Sequence, residues 1–322
     1  MVLSGSIRIV APARIHLGFY NIKYGNLLFG SIGLAIDRPY YDLIIERSEK
    51  TEVFSENPQQ KEFIEETVNK ITSVLGINAN LRIHVKSYIE RHVGLGSTTQ
   101  LLMSILKALL YLYNVKIDPW TLFKLIGRKN ISGIGVSSFL RGGFIVDSGI
   151  TSNGYPREVT RIRFPKRWKV LLVIPREDRG LSEEIEENYM IPQEPNDELR
   201  CELLKYVFLG VIPGILREDF DMFTYSLEKL DESIGKYYGT VQGGRFLSKY
   251  GEDVADALKD VGGRGIGQSS WGPTIYAFFK DKSSALTACR KINAYLKNSN
   301  ISADVILCNP RNCGAKIIKK EL

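Results

Sequence analysis

The chain has 322 residues, 44% of them hydrophobic and 25% charged, with a formal net charge of +7. That length allows two domains of ordinary size around a substantial buried core, and the composition excludes a low-complexity or disordered polymer. The basic residues are scattered, without the basic helix or basic–aromatic ladder of a nucleic-acid binder, so the surplus charge fits either an anionic substrate or a lysine-rich surface.

Four cysteines, Cys201, Cys289, Cys308 and Cys313, form no C-x-x-C, and there are three histidines. Neither a zinc cluster nor a disulfide framework is expected. The longest apolar run, near Leu101, is too short to cross a bilayer and contains Lys107. No charged-then-apolar leader opens the chain, so a cytoplasmic location is the expectation. No nucleic-acid or membrane partner is expected.

Residues 6–47 read as several strands joined by glycine-containing turns. A helix is predicted over 61–75, with Ile64, Val68, Ile71 and Leu75 on one stripe and Gly76 as its stop. Leu81, Ile83 and Val85 then alternate with Arg82, His84 and Lys86, as in a half-buried strand. A glycine loop follows, and after it an apolar run over 101–113 that reads as a buried helix. Asp118 and Pro119 open a helix over 119–127, and 144–147 is strand-like. From about Arg167 the pattern changes. A strand at 169–174 is followed by helices around 197–209, 219–234 and 251–260. A strand at 274–279, a helix at 283–296 and a strand at 303–307 complete it. The prediction is an α+β chain of two domains: a mixed β/α domain over 1–166 and a ferredoxin-like α/β sandwich over 167–322.

Four segments carry candidate chemistry. In the first, Arg14 offers a planar fork to a carboxylate or phosphate, and His16 can donate to a phosphate or move a proton. The plainer reading is a surface arginine and a histidine satisfied by the backbone. The second is the glycine loop, Gly94, Leu95, Gly96, Ser97, Thr98, Thr99 and Gln100. Two glycines at a strand-to-helix junction curl the backbone and turn N–H groups outward, where they and the helix dipole favour a phosphate. The loop lacks the Lys-Ser/Thr of a Walker motif, and a packing turn that caps the helix is the alternative. The third, 127–147, holds Arg128, a cation for phosphate, and Asp147, a carboxylate for Mg²⁺ or for proton transfer. Its alternative is a turn-rich connection with solvated charges. The fourth, 262–273, gathers Arg264, Gln268, Ser269 and Ser270 with Trp271, whose ring can stack on an aromatic substrate or serve only the core.

Together these segments resemble the GHMP superfamily, named for galactokinase, homoserine kinase, mevalonate kinase and phosphomevalonate kinase. PARIHLGF (12–19), GLGSTTQ (94–100), SGIGVSSFLRGG (132–143) and GIGQSSWGP (265–273) occur in its order across nearly the whole chain. With QGGRF (242–246) and the PREDRGLSEEIE segment at 175–186, the details are similar to one branch. These are the β-ribofuranosylaminobenzene 5′-phosphate synthases of archaeal methanopterin biosynthesis. The resemblance implies a GHMP-kinase-like fold and condensation of 4-hydroxybenzoate or 4-aminobenzoate with phosphoribosyl pyrophosphate. Carbon dioxide and pyrophosphate leave. It also implies Mg²⁺ without an organic cofactor, and a homodimer.

On that reading the diphosphate lies on the N–H groups of Gly94, Gly96, Ser97 and Thr98, with Arg14 or Arg128 neutralising charge. Asp147 holds the metal or deprotonates the phenol, and His16 is the second candidate base. Arg264 or Arg14 pairs with the substrate carboxylate, and Trp271 stacks on its ring. An ATP-dependent small-molecule kinase of the same fold is the alternative, and a binding protein without turnover a third. Mevalonate-type kinases carry Ser-Gly-x-Asp in the third segment. Here the matching residue is Gly135, which accepts no proton.

Overall fold

The computed structural model describes residues 5–127, 132–151, 154–177, 180 and 193–321. The run expected to hold several strands forms two long ones, β1 (Gly5–Tyr24) and β2 (Leu27–Arg47), antiparallel about a tight turn. Its glycines are absorbed at irregularities in the pairing, with register shifts between Pro12 and Ala13, between His16 and Gly18, and between Phe19 and Asn21. A bulge bends a strand without ending it. The two-residue period sends Ile7, Ile9, Ala11, Ala13 and Ile15 into the core, fully buried. Arg14 and His16 therefore face the other way.

β3 (Glu52–Phe54), α1 (Pro58–Leu75) and β4 (Leu81–Ser87) follow, the helix capped by Asn57 and stopped at Gly76. α2 (Ser97–Leu112) rises straight from the glycine loop, and α3 (Pro119–Leu125) starts at the Asp118 cap. The third segment is not the turn-rich connection that its glycines suggest. Residues Gly133–Leu140 form α4, capped by Ser132. Gly135 serves close packing there: a Cβ on it would sit 2.9 Å from Thr99 Cγ2 on α2. β5 (Phe144–Asp147) pairs with β2 and with β6 (Glu158–Ile162). The first sheet runs β11-β1-β2-β4-β3, with β5 and β6 off the far half of β2. Its β11 (Lys316–Glu321) returns from the chain's end to pair with β1.

The second sheet is antiparallel, in the order β10-β7-β9-β8. Its strands are β7 (Lys169–Pro175), β8 (Arg264–Gln268), β9 (Ile275–Phe279) and β10 (Ala303–Cys308). Counted within the sheet this is 4-1-3-2, the ferredoxin-like arrangement. β8 lies in the segment that its glycines make look like a loop. Between β7 and β8 come α5 (Asp197–Tyr206), a π turn (Val207–Val211), α6 (Ile212–Leu216), α7 (Phe220–Gln242) and α8 (Gly251–Asp260). α9 (Lys282–Asn298) joins β9 to β10. Every residue of β7 is buried. Val170 and Leu172 pack into the large core with Trp168 and Phe223, whereas Leu171 and Val173 pack against Leu258 and Ile292 on the opposite face. A strand covered on both faces reads as an unbroken apolar run. No described helix is long and apolar enough to cross a membrane.

Asp147 requires a correction. Its side chain is fully buried at the end of β5. One carboxylate oxygen accepts from the Ser31 and Gly149 amides, both at 3.0 Å. The other accepts from the Ser31 hydroxyl at 2.8 Å and the Ser132 hydroxyl at 3.1 Å. Four donors fill the acceptor sites of a carboxylate. Burial pushes its pKa up, against the pull of those donors. None of its lone pairs is left for a metal or a substrate proton. Asp147 instead locks β2, β5 and the start of α4 together. Asp147→Asn turns an amide N–H₂ either toward the Ser31 and Gly149 amides, which can only donate, or toward two hydroxyls that must then turn their protons away. It should lower stability by about 1–3 kcal/mol and the melting temperature by several degrees. Thermal unfolding checks this; an unchanged melting temperature with lost activity would return Asp147 to the chemistry.

Candidate active site

The glycine loop is bolted down through its carbonyls. Arg14 donates its backbone amide to Leu95 O at 3.2 Å and its Nη1 to Gly94 O at 2.5 Å. The Ser269 hydroxyl donates to the same Gly94 oxygen at 2.7 Å, the Thr274 hydroxyl donates to Val93 O, and the Gly180 amide to His92 O at 2.6 Å. Gly94 and Gly96 sit at φ +80° and +82°, where side chains are strained. A Cβ on Gly94 would also lie 2.1 Å from Ser269 O. With the carbonyls engaged by protein donors, the amides face the other way. Among the described residues no acceptor meets the N–H groups of residues 94–99, and Gly96 caps α2 without a side-chain bond. Those amides begin a 16-residue helix, a setting that favours an anion.

Within the loop, Leu95 is buried and contributes only backbone. Ser97 is buried, and Thr98 and Thr99 are half-buried on the first helical turn. Gln100 is a tie between helices: it is fully buried and its Nε2 donates to Gly135 O at 2.8 Å. Arg128 lies outside the described residues.

Beside the loop, two residues further along β1, His16 lines a small pocket between β1, α7 and the end of β8. The bulge at His16–Gly18 shapes its rim. Gly18 has φ +118°, and a Cβ there would strike Ile234 of α7 at 2.6 Å. The Gly18 amide donates to His16 Nδ1 at 3.3 Å, which leaves the imidazole proton on Nε2. Burial and the nearby Arg14 hold the His16 pKa down to about 3. His16 is thus a neutral donor, not the base that its residue type suggests. The walls are aromatic: Phe19 stands 4.8 Å from the His16 ring, and Tyr238 meets Trp271 edge-on at 4.9 Å.

The fourth segment joins loop to pocket. The Ser269 hydroxyl accepts from the His16 amide at 3.0 Å while donating to Gly94. Ser269 is fully buried and acts as this bridge. Gln268 donates its Nε2 to Ser270 O at 2.9 Å, and its Oε1 accepts from the Leu247 amide at 2.5 Å. Ser270, at φ +58°, and Trp271 line the pocket. Arg264 does not reach it. It is exposed at the far end of β8, because an extended strand carries residues 264 and 268 about 13 Å apart.

The pocket's charged pair was not singled out from sequence. Asp231 on α7 accepts from the Gln268 amide at 3.0 Å and from Arg245 Nε at 3.0 Å. Glu228, one turn earlier, accepts from the Gly265 amide at 2.7 Å. Burial pushes the Asp231 pKa up to about 6, against the pull of Arg245 and the Gln268 amide. Two carboxylates at i and i+3 on a predicted helix, and the arginine of QGGRF, were the available signal.

Residues 62–143 match the N-terminal domain of the GHMP kinases, and residues 245–298 match their C-terminal domain. The β-ribofuranosylphenol 5′-phosphate synthase of Archaeoglobus fulgidus is 29% identical over 97% of this chain and 99% of its own. The enzyme of the same name from Methanothermobacter thermautotrophicus is 28% identical over 84% of this chain and 88% of its own. Among solved structures, a homoserine kinase from Cytophaga hutchinsonii superposes with a TM-score of 0.71 at 19% identity, covering 97% of each chain. L. major mevalonate kinase superposes at 0.72 with 13% identity, over 95% of this chain and 97% of its own. Those two likenesses concern the fold. With both domain matches in order on this architecture, the chain has the two-domain GHMP-kinase fold, and over most of its length its sequence is similar to the β-ribofuranosylphenol 5′-phosphate synthases.

Proposed function

We propose that the protein condenses phosphoribosyl pyrophosphate with 4-hydroxybenzoate, releasing carbon dioxide and pyrophosphate and leaving a ribofuranosylphenol 5′-phosphate. One observation carries the reading. Arg14 and His16, on one face of β1, join an anion-ready helix start to an aromatic-walled pocket, and Ser269 ties the two. A diphosphate suits the first and a benzoate ring the second, with the sugar carbon between them. The relatives' name specifies a phenol, which favours the hydroxy acid over 4-aminobenzoate.

The amides of Gly94, Gly96, Ser97 and Thr98 take up the charge that develops on the departing pyrophosphate. Arg14, held on Gly94, adds its cation. The sugar carbon gains oxocarbenium character as its C–O bond lengthens. The ring carbon that bears the carboxylate attacks it. The carbon–carboxylate bond then breaks, and its electron pair restores the aromatic ring, so no organic electron sink is required. The neutral His16 Nε2–H donates toward the carboxylate end of the ring. Phe19, Tyr238 and Trp271 hold the ring and exclude water.

Among the described residues no three His, Cys, Asp or Glu side chains gather into a metal cage. Magnesium, on this reading, would be held in part by the substrate's own diphosphate oxygens, hard ligands that suit it. We extend to the chain the homodimer and the methanopterin-type pathway that the resemblance implies. Mevalonate-type kinases carry an acidic side chain where Gly135 stands, and here a Cβ would meet Thr99 Cγ2 at 2.9 Å; some superfamily kinases lack that acid, so this weakens kinase chemistry without excluding it.

Purified protein with phosphoribosyl pyrophosphate and carboxyl-labelled 4-hydroxybenzoate should release labelled carbon dioxide and pyrophosphate in equal amounts. Absence of both, alongside ATP hydrolysis stimulated by an alcohol, would favour the kinase. Gly96→Val places a branched side chain at φ +82° and against Arg14 Nε, 3.2 Å from the Cβ position. The strain, about 1–3 kcal/mol, falls on the loop, so pyrophosphate affinity should drop roughly tenfold or more. Calorimetric titration with pyrophosphate reads this. Normal binding by the variant would remove the loop from the site.

A further inference from the structure

We infer that the Asp231–Arg245 pair reads the para substituent of the benzoate, with Asp231 taking its proton as the ring attacks the sugar. The inference rests on the proposed reaction and deepens it. Attack at the carbon bearing the carboxylate turns that end of the ring toward the sugar and the glycine loop. The para group then points away from the loop, into the pocket that Asp231 and Arg245 line with His16. The two ends are linked by consecutive residues: Ser269 holds Gly94, and the Gln268 amide holds Asp231.

The pair is built for this place. Gly235, one turn beyond Asp231 on α7, leaves the space in which Arg245 crosses the helix; a Cβ there would lie 2.8 Å from Arg245 Cγ. Gly267 likewise leaves room for the carboxylate, its Cβ position being 2.6 Å from Asp231 Oδ1. Asp231 Oδ1 accepts one amide, and Oδ2 accepts from Arg245 Nε and pairs with its Nη2, both at 3.0 Å. A carboxylate has about four acceptor sites. Unlike Asp147, Asp231 keeps capacity for one more donor, and a phenol supplies it.

The step balances within the site. The phenolic O–H breaks and its proton moves to Asp231. The oxygen's electron pair pushes into the ring, the carbon–carbon bond to the sugar forms, and pyrophosphate leaves with the C–O pair. Once carbon dioxide has gone, Asp231 returns the proton to the oxygen. Arg245 keeps the carboxylate oriented throughout. The groups facing Asp231 are Arg245, Glu228 and Glu232 of its own helix, Tyr276 of β9 and His16 of β1. His16, held down to about 3, stays neutral across the working range. A rise of activity with pH through about 6 that Asp231→Asn abolishes belongs to Asp231 and not to the substrate's 5′-phosphate, which ionises in the same range.

The test starts from the wild type. kcat/KM for 4-hydroxybenzoate should climb with pH through about 6 and then level. 4-Methoxybenzoate, which has no proton to give, should not be turned over. Asp231→Asn should lower kcat by roughly 10²- to 10⁴-fold and abolish that acid limb, while pyrophosphate still binds and the melting temperature shows a folded protein. Asp231→Glu should restore part of kcat and the limb. Wild-type turnover of the methyl ether at the rate of the phenol overturns the inference, whether or not the variants fold. An Asp231→Asn enzyme with full kcat and an intact limb does so too. A wild type that releases no carbon dioxide overturns the parent reading, and this inference with it.

Discussion

The hydroxyl of Ser269 is the contact on which the site depends. It accepts from the backbone of β1 at His16 and donates to the glycine loop at Gly94. Three segments distant in sequence are thereby held in one register: the first strand, the loop and the end of β8. Ser269 is fully buried, so each bond forms away from competing water. A buried polar group left without its partner costs about 1–3 kcal/mol, which makes the arrangement close to all-or-none. The same contact turns the Gly94 carbonyl into the protein and so leaves the amide face of the loop for a ligand.

Two buried aspartates illustrate how environment assigns a role. Asp147 and Asp231 are both buried carboxylates whose pKa values rise because burial penalises the charge. Asp147 is surrounded by four donors from β2, the start of α4 and the turn after β5. Asp231 is balanced by a cation and an amide and opens on a cavity. The first is a fastening. The second is a group whose protonation changes near neutrality, where proton transfer in either direction is easiest.

Much of this was legible in the chain itself. The stripe of Ile64, Val68 and Ile71 predicts α1, the Asp118-Pro119 pair predicts α3, and the unbroken apolar run at 170–174 predicts β7. The two glycines at 94 and 96 mark the loop, and Arg14 and His16 are recognisable beside it. Other parts were hidden for physical reasons. Gly133 and Gly135 look like helix breakers, yet α4 needs them to approach β5 and α2. The glycines of β8 look like loop residues, yet Gly267 makes space for Tyr276 and Asp231. Asp147 at a strand end looks catalytic until its four donors are counted. Arg264 and Arg245 differ only in where the fold carries them, and no local pattern separates an exposed arginine from one drawn across a helix to a buried carboxylate.

The proposed reaction requires the sugar diphosphate on the loop and the benzoate ring in the adjoining pocket. A crystal structure with phosphoribosyl pyrophosphate and benzoate, which lacks the para hydroxyl, tests that placement directly. The diphosphate should lie on the amides that begin α2, and the ring against Phe19, Tyr238 and Trp271 in the His16 pocket, with its open para position toward Asp231. A diphosphate bound away from those amides, or a ring outside the His16 pocket, would contradict it.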